Sequence, residues 1–296
     1  MRFTQILALA ASLCIAPAYA QEAGPSFPPL VAQELPAFIG ETIPLPTVPA
    51  DTQDTEQWNR VFNQMWVRNV SRPALYVVRP PVGRSNGRAV IVVPGGGYSF
   101  VSFGSEGIDV ANRLAANGYT ALVLKYRHNS TPRDADEFAA EVLASFGSLG
   151  SGTLVEQPMA MDDLASSIDV VRAMADDLNI DPDSLGVIGF SAGAHTTIRL
   201  LEERSQAELL DHVALIYPPL PEPVGSGARP DLFYAISVDD PLFQQSGLAP
   251  LQSWLAESNR VEFHLFSGGG HGFGMRPQGT TSDGWIEQYL NWLELQ

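Results

Sequence analysis

The amino-acid sequence predicts an α/β fold in which helices cover both faces of a mostly parallel β-sheet. Short, nearly continuous apolar runs alternate along the chain with stretches of helical periodicity. Runs of this kind are typical of parallel strands that are buried on both faces. Two of the runs end directly in glycine-rich segments, at 94–98 and 267–274. A third, at 185–188, leads through Gly-Phe-Ser-Ala-Gly (189–193) into a helix-compatible stretch. Together these three observations indicate a single α/β domain.

The predicted elements follow in order along the chain. Strands are expected at 75–79, 89–93, 120–126, 185–190, 212–217, 232–238 and 261–266. Helices are expected at 105–117, 158–178, 192–204, 246–257 and 282–295, where the periodicity changes to that of a helix. The segment 134–152 has helical composition followed by a Ser/Gly link, and it is either a small cap over the sheet or an exposed surface helix.

The first 54 residues have a different character from the rest. Residues 1–20 contain an arginine, an apolar run and Ala18-Tyr19-Ala20, which predicts a secretory signal peptide that is cleaved after Ala20. The only cysteine, Cys14, lies in this segment, so the mature chain has no thiol or disulfide. Residues 21–54 are rich in proline and predict an extended arm, and 55–296 predict the catalytic domain. The expected location is the periplasm or the medium.

Ser191 is the expected nucleophile. A strand that turns sharply into a helix through Gly-x-Ser-x-Gly lifts the serine hydroxyl clear of the sheet. Small residues on both sides are needed because the turn is tight and its backbone strained. The alternative is an ordinary glycine-rich turn that happens to contain a serine. Nucleophilic catalysis requires a base and a third group that orients it, in the chain order serine, acid, histidine.

His271 is the expected base. It lies between glycines just after the strand 261–266, at the sheet edge where ligands bind in open α/β folds. An ordinary histidine has a pKa of about 6.5, which suits a general base. The acid is Asp239 or Asp240, which both follow the strand 232–238. We favour Asp239, because Asp240 precedes a proline and is typical of a turn residue.

The glycines after strand 89–93 predict an oxyanion hole. Their backbone N–H groups can point into a site without interference from side chains, and the N–H of Ala192, which follows the nucleophile, completes such a hole. The spacing does not match a dinucleotide-binding or phosphate-binding loop. Tyr98 follows these glycines, and we expect it to line the substrate pocket. Trp285 forms a helix face with Tyr289 and Trp292, which indicates a core position, but it is also a candidate pocket residue because it lies near His271 in the sequence.

These motifs resemble those of the bacterial acetyl esterase and xylan esterase branch of the α/β-hydrolase superfamily. The resemblance is carried by the segments 94–98, 123–127, 189–193, 239–241 and 269–274 and extends from about Trp66 to the C-terminus. It implies an α/β-hydrolase fold with at most a small cap. It also implies Ser191, Asp239 and His271 as the catalytic triad, with Gly96, Gly97 and Ala192 as the oxyanion donors.

The expected function is therefore that of a secreted serine carboxylesterase that removes acetyl groups from sugars or hemicellulose, as in xylan degradation. A serine peptidase, a general short-chain carboxylesterase and a non-catalytic carbohydrate-binding protein are the alternatives. The formal net charge of −16 disfavours nucleic acids and anionic membranes as partners and is compatible with a neutral small-molecule or oligosaccharide ester. No stable membrane insertion is expected, because the apolar run near the N-terminus is far shorter than the ~20 residues needed to span a bilayer. No metal site is expected, because the histidines lack metal-ligand spacing, and no cofactor is expected.

Overall fold

The computed structural model describes residues 28–34, 40–151, 156–220, 223–258 and 260–296. The expected signal peptide lies outside these residues. The strands are β1 (Val31–Gln33), β2 (Glu41–Pro44), β3 (Gln57–Val61), β4 (Gln64–Arg68), β5 (Ala74–Val78), β6 (Ala89–Val93), β7 (Thr120–Lys125), β8 (Leu185–Phe190), β9 (His212–Ile216), β10 (Asp231–Ser237) and β11 (Val261–Phe266). The helices are α1 (Asp109–Ala116), α2 (Ala135–Gly147), α3 (Pro158–Ala173), α4 (Ala175–Leu178), α5 (Ala192–Glu203), α6 (Pro241–Ser246), α7 (Ala249–Leu255) and α8 (Trp285–Glu294).

The main sheet has eight strands in the order β11-β10-β9-β8-β6-β7-β5-β2. The six strands from β11 to β7 run parallel, while β5 and β2 are antiparallel to their neighbours at one edge. Every residue of β6, β7, β8 and β9 is buried, which explains why these strands are apolar at successive positions rather than at alternate ones. The strands predicted from the sequence are all present.

Helices cover the two faces of this sheet. A side chain at Gly189 of β8 would contact the backbone of Ala194 in α5. The next residue, Phe190, packs edge-on against Trp285 of α8, with ring centroids 5.5 Å apart. Because successive side chains of a strand point to opposite faces, α5 and α8 lie on opposite sides of the sheet. The predicted two-sided arrangement is therefore confirmed.

The predicted helix boundaries differ from the observed ones where glycine or chain geometry intervenes. The segment 246–257 begins inside α6, and Gly247, with a φ of 57°, separates α6 from α7. The segment 158–178 is divided into α3 and α4 at Met174. Residues 104–108, before α1, form a widened helical turn, and residues 281–284, before α8, form a tightened one.

The proline-rich segment is more structured than the sequence indicates. Residues 41–44 form β2, which pairs with β5 and completes the edge of the main sheet. Residues 31–33 form β1, which joins β3 and β4 in a separate three-stranded antiparallel sheet. The expectation of an arm that ends at residue 54 is thus corrected, because backbone pairing ties part of it to the domain.

A second, smaller apolar cluster connects the small sheet to α2. It consists of Val61, Trp66, Phe100, Phe138 and Val142. Arg68 of β4 is also buried and donates hydrogen bonds to the carbonyls of Pro132 and Arg133, just before α2. Its guanidinium lies 4.6 Å from the centre of the Phe138 ring. These contacts hold α2 beside the carboxyl ends of the parallel strands.

Within the part of the chain that the structure describes, none of the helices is both long and apolar enough to cross a membrane.

Candidate active site

Ser191 occupies a sharp turn between β8 and α5. Its backbone angles are φ 47° and ψ −116°, which a non-glycine residue rarely adopts. A Cβ atom at Gly189 would lie 2.6 Å from the carbonyl oxygen of Gly193, and one at Gly193 would lie 2.0 Å from that of Val93. Neither position has room for a side chain. The Ser191 N–H donates to the carbonyl of Ile216 at 3.0 Å, which fixes the turn to β9.

His271 contacts the hydroxyl of Ser191. The distance between Ser191 Oγ and His271 Nε2 is 2.8 Å. Gly270 and Gly272 on either side have φ values of 60° and 75°, which other residues adopt only with strain. These glycines turn the loop after β11 so that the imidazole faces the serine. The expected pair of nucleophile and base is therefore brought together.

The partner of the other imidazole nitrogen is Asp240. Its Oδ2 lies 2.9 Å from His271 Nδ1, and the carboxylate has no exposed surface. Its Oδ1 accepts a hydrogen bond from the N–H of Leu242 at 2.8 Å and so caps the start of α6. Pro241, which follows Asp240, is the first residue of this helix. In the sequence analysis this proline was the reason to assign Asp240 to a turn. In the structure the same turn directs the Asp240 carboxylate inward, toward His271.

The structure corrects the placement of Asp239. Its carboxylate accepts hydrogen bonds from the N–H groups of Gly270 at 2.9 Å and Gly269 at 3.4 Å, rather than from the imidazole of His271. The hydrogen bond from Gly270 lowers the pKa of Asp239. Asp239 thus binds the backbone of the loop that carries His271, whereas Asp240 binds its side chain.

The three expected oxyanion donors are near this pair. Gly96 and Gly97 line the same cavity as Ser191 and His271. A Cβ atom at Gly96 would lie 1.9 Å from the carbonyl oxygen of Phe100, so only glycine fits there. Ala192 is the first residue of α5, and its N–H therefore has no acceptor within the helix. This placement is compatible with an oxyanion hole opposite His271.

Glu106 is a site residue that the sequence analysis missed. It is 6% exposed, and its carboxyl lines the cavity beside Ser191 and His271. It accepts hydrogen bonds from the N–H of Gly95 and from the hydroxyl of Tyr217, both at 2.8 Å. Burial raises the pKa of Glu106. No local pattern marks this residue, because its partner Tyr217 is more than one hundred positions away in the sequence.

The cavity has a volume of about 330 Å³ and a largely apolar wall. Trp66 and Phe100 stack with ring centroids 3.8 Å apart, and both line the cavity. Phe146 at the end of α2 and Leu149 just beyond it form another part of the wall. Of the two interpretations of segment 134–152, the structure therefore favours a small cap that borders the site.

Tyr98 and Trp285, the two expected pocket residues, do not line this cavity. Tyr98 is buried, and its hydroxyl is bonded to His195 Nδ1 at 2.9 Å and to Thr196 Oγ1 at 3.0 Å. Trp285 is buried and donates its indole N–H to the carbonyl of Gly274 at 2.7 Å. Both expectations are corrected, because the Tyr98 hydroxyl is bonded to α5 and the Trp285 ring packs against Phe190 of β8.

Three features together define the class of α/β hydrolases. They are a parallel sheet with antiparallel edge strands, a serine on a strained strand-to-helix turn, and a histidine on the loop after the last strand. Within that class, the chain belongs to the dienelactone hydrolase family, whose model matches residues 75–289.

The chain is also similar to individual known proteins. The chain is similar to an acetylxylan esterase from Xylanibacter ruminicola, with 27% identity over 135 residues. The match covers 46% of this chain and only 23% of that protein. Among solved structures, an α/β hydrolase from a Medee basin deep-sea metagenome library has a TM-score of 0.57, with 22% identity over 91% of this chain and 98% of the other. An acetyl ester-xyloside bifunctional hydrolase from Caldicellulosiruptor lactoaceticus has a TM-score of 0.58, with 20% identity over 86% and 96% of the two chains. At these identities the structural likeness concerns the fold.

Proposed function

We propose that this chain is a serine carboxylesterase that removes acetyl groups from sugars or hemicellulose through an acyl-enzyme. The observation that carries the proposal is the continuous hydrogen-bonded series Ser191–His271–Asp240, with distances of 2.8 and 2.9 Å. Nucleophilic acyl transfer requires a serine hydroxyl, a base within hydrogen-bond reach of it and a buried carboxylate that orients the base.

In the first half of the reaction, Ser191 Oγ attacks the ester carbonyl carbon while His271 Nε2 accepts the hydroxyl proton. Asp240 holds the imidazole by its Nδ1–H and stabilises the imidazolium that forms. The N–H groups of Gly96, Gly97 and Ala192 stabilise the negative oxygen of the tetrahedral intermediate, at about 3 kcal/mol for each donor. The intermediate collapses to the acyl-enzyme, and the alcohol leaves with the proton from His271.

In the second half, His271 activates a water molecule that attacks the acyl-enzyme. The carboxylic acid leaves, and Ser191 regains its proton. Asp239 contributes by holding Gly270 and thereby the direction in which His271 enters the site.

The substrate proposal draws on several observations. The acetylxylan esterase and the acetyl ester-xyloside hydrolase to which this chain is similar both carry acetyl-sugar ester activity in their names. A net charge of −16 does not oppose a neutral acetylated sugar. The cavity of about 330 Å³ exceeds the space that an acetyl group needs, so part of an alcohol can be accommodated as well.

We further propose export of the enzyme by a signal peptide cleaved after Ala20. The mass of the mature N-terminus, measured on protein recovered from the periplasm or medium, tests this location.

The activity is tested with p-nitrophenyl acetate, butyrate and octanoate and with acetylated xylan, using the wild-type chain and Ser191→Ala. We expect hydrolysis with a preference for acetate and xylan, and a loss of at least roughly a thousandfold in the variant. A preference for octanoate would replace the sugar ester by a general carboxylesterase substrate. Cleavage of peptide anilides in preference to all the esters would indicate a peptidase. No reaction with a fluorophosphonate would support a carbohydrate-binding protein instead.

A further inference from the structure

Glu106 connects the loops that form the candidate active site. It lies in the turn before α1, outside both the strand that leads to the glycine loop (95–97) and the loop that carries His271. Its Oε2 accepts from Gly95, the first residue of the glycine loop, at 2.8 Å. Its Oε1 accepts from the hydroxyl of Tyr217 at 2.8 Å, and that hydroxyl in turn accepts from the N–H of Gly274 at 3.1 Å.

The first connection fixes the glycine loop. A Cβ atom at Gly95 would lie 2.8 Å from Glu106 Oε2 and 2.9 Å from Ser191 Cβ, so Gly95 is confined between the carboxyl and the nucleophile. Gly96 and Gly97 follow directly, and the direction of their N–H groups depends on the plane of the peptide that Glu106 holds. A displacement of the loop by about 1 Å would move donors out of the geometry that an oxyanion requires.

The second connection fixes the histidine loop. Tyr217 has a φ of 41°, so its backbone is strained, and its ring centroid lies 5.0 Å from that of His271. Its hydroxyl binds Gly274, three residues after His271. The N–H of Met275 also donates to the carbonyl of Ser105, next to Glu106, at 3.0 Å. The segment around Glu106 therefore contacts the histidine loop directly and through Tyr217.

A merely structural role does not explain this placement well. A buried carboxyl is costly for stability, and no Lys or Arg in the described residues forms an ion pair with Glu106. The charges of Arg276 and His271 offset only part of this cost, because burial still raises the pKa of Glu106. A carboxyl can, however, accept two hydrogen bonds from different directions with a fixed separation. That property suits a group that holds two loops at a defined distance.

We propose that Glu106 is a positioning residue that sets the glycine loop and the histidine loop relative to Ser191 and so acts on the rate of the chemical step. The inference rests on the proposed esterase function. It assigns no proton transfer to Glu106, which acts through Gly95 and Tyr217.

The test compares Glu106→Ala, Glu106→Gln and Tyr217→Phe with the wild-type chain. Glu287→Gln is the control, because Glu287 of α8 forms an exposed ion pair with Arg113 of α1 and does not line the cavity. With p-nitrophenyl acetate we expect kcat to fall by about 10- to 100-fold in Glu106→Ala while KM changes less than about twofold. Glu106→Gln keeps an acceptor for Gly95, so it should recover at least half of the lost kcat on a logarithmic scale. Tyr217→Phe should lower kcat less than Glu106→Ala, and the control should behave as the wild type.

A second readout requires no substrate. The downfield proton resonance of His271 Nδ1–H, identified by its absence in Asp240→Asn, reports how firmly the histidine loop is held. We expect it to shift or broaden in Glu106→Ala and in Tyr217→Phe and to be unchanged in Glu287→Gln. An unchanged kcat or an unchanged resonance in folded Glu106→Ala would overturn the proposal, as would a rise in KM at constant kcat. If Glu106→Ala does not fold, Tyr217→Phe decides by the same criteria. If the wild-type chain hydrolyses no ester, the proposed function fails while the resonance still tests the positioning role.

Discussion

Asp239 and Asp240 are consecutive residues whose carboxylates bind the same loop at two different places. Asp240 accepts from the imidazole of His271 at 2.9 Å, and Asp239 accepts from the backbone N–H of Gly270 at 2.9 Å. One carboxylate is fully buried and the other lies at the surface. Residues at the end of β10 therefore hold the loop after β11 at two points, the backbone of Gly270 and the side chain of His271.

This division of roles predicts that Asp240→Asn is far more harmful than Asp239→Asn. An asparagine at 240 keeps the size of the side chain but removes the charge that orients the imidazole and stabilises its protonated form. We expect kcat to fall by about 10³- to 10⁴-fold, by analogy with other triads. Asp239→Asn still accepts from Gly270, so its kcat should fall less than about tenfold.

Both variants are measured with the same ester, and circular dichroism establishes that both are folded. A larger loss in Asp239→Asn than in Asp240→Asn would contradict the assignment and restore the acid that the sequence favoured.

The choice between these two residues shows where sequence reasoning ends. The apolar strands predicted the sheet, the Gly-x-Ser-x-Gly turn predicted Ser191, and the glycines after strand 261–266 predicted His271, because burial and steric need leave a local pattern. The direction of two adjacent carboxylates depends on the turn after β10 and leaves none. Glu106 was missed for a similar reason, since its partner Tyr217 lies more than one hundred positions away in the sequence.

The small sheet was missed because its strands carry polar residues. In β3 and β4 the sequence does contain one usable signal. Phe62 and Asn63, which connect the two strands, have φ values of 49° and 58°, as in a two-residue hairpin turn. Asparagine tolerates this conformation, so Asn63 between two short runs could have indicated a hairpin.

Steric crowding at the serine turn predicts that Gly193→Ala abolishes the fold of the site. The added methyl would lie 2.0 Å from the carbonyl oxygen of Val93, which belongs to the backbone of the central sheet and cannot move aside. We expect insoluble protein, or a loss of stability of several kcal/mol, of the order known for overpacked cores. Thermal unfolding measures it.

Gly284→Ala is the matched control for this substitution. A Cβ atom at Gly284 meets nothing within 4 Å, and its φ of −89° suits any residue. Its stability should stay within about 0.5 kcal/mol of the wild type. Equal melting temperatures for both variants would contradict the steric argument.

Buried histidines predict a loss of stability in mild acid. Burial lowers the pKa of His128 to about 4 in the folded chain, whereas an unfolded histidine has a pKa of about 6.5. Between these values the unfolded state binds a proton that the folded state does not, so stability decreases as the pH falls from about 6.5 to about 4. Above this window both states are neutral, and the group contributes no pH dependence.

The pH dependence is measured by urea unfolding at several pH values for the wild type and His128→Gln. The variant should lose less stability across the window, by up to about 3 kcal/mol. Burial also lowers the pKa of His195 and His212, so the variant should retain part of the slope. Identical slopes for both proteins would show that His128 does not contribute.

The cavity wall predicts an effect on substrate binding from Phe146, at the end of α2. Its side chain lines the cavity, yet 45% of its surface remains exposed, so the fold depends little on it. Phe146→Ala removes apolar surface that a bound ester would cover. At about 25 cal/mol per Å², losing some 40 Å² costs about 1 kcal/mol, which corresponds to a rise in KM of about fivefold. The kcat should stay nearly constant, because Ser191 and His271 are untouched.

Leu143→Ala is the matched control, because Leu143 lies on the same helix and is also 45% exposed but does not line the cavity. It should leave both KM and kcat at wild-type values. Equal effects of the two substitutions would mean that α2 acts through its general stability. A rise in KM confined to Phe146→Ala would identify the end of α2 as part of the substrate-binding wall, because only there does the removed side chain line the cavity that contains Ser191.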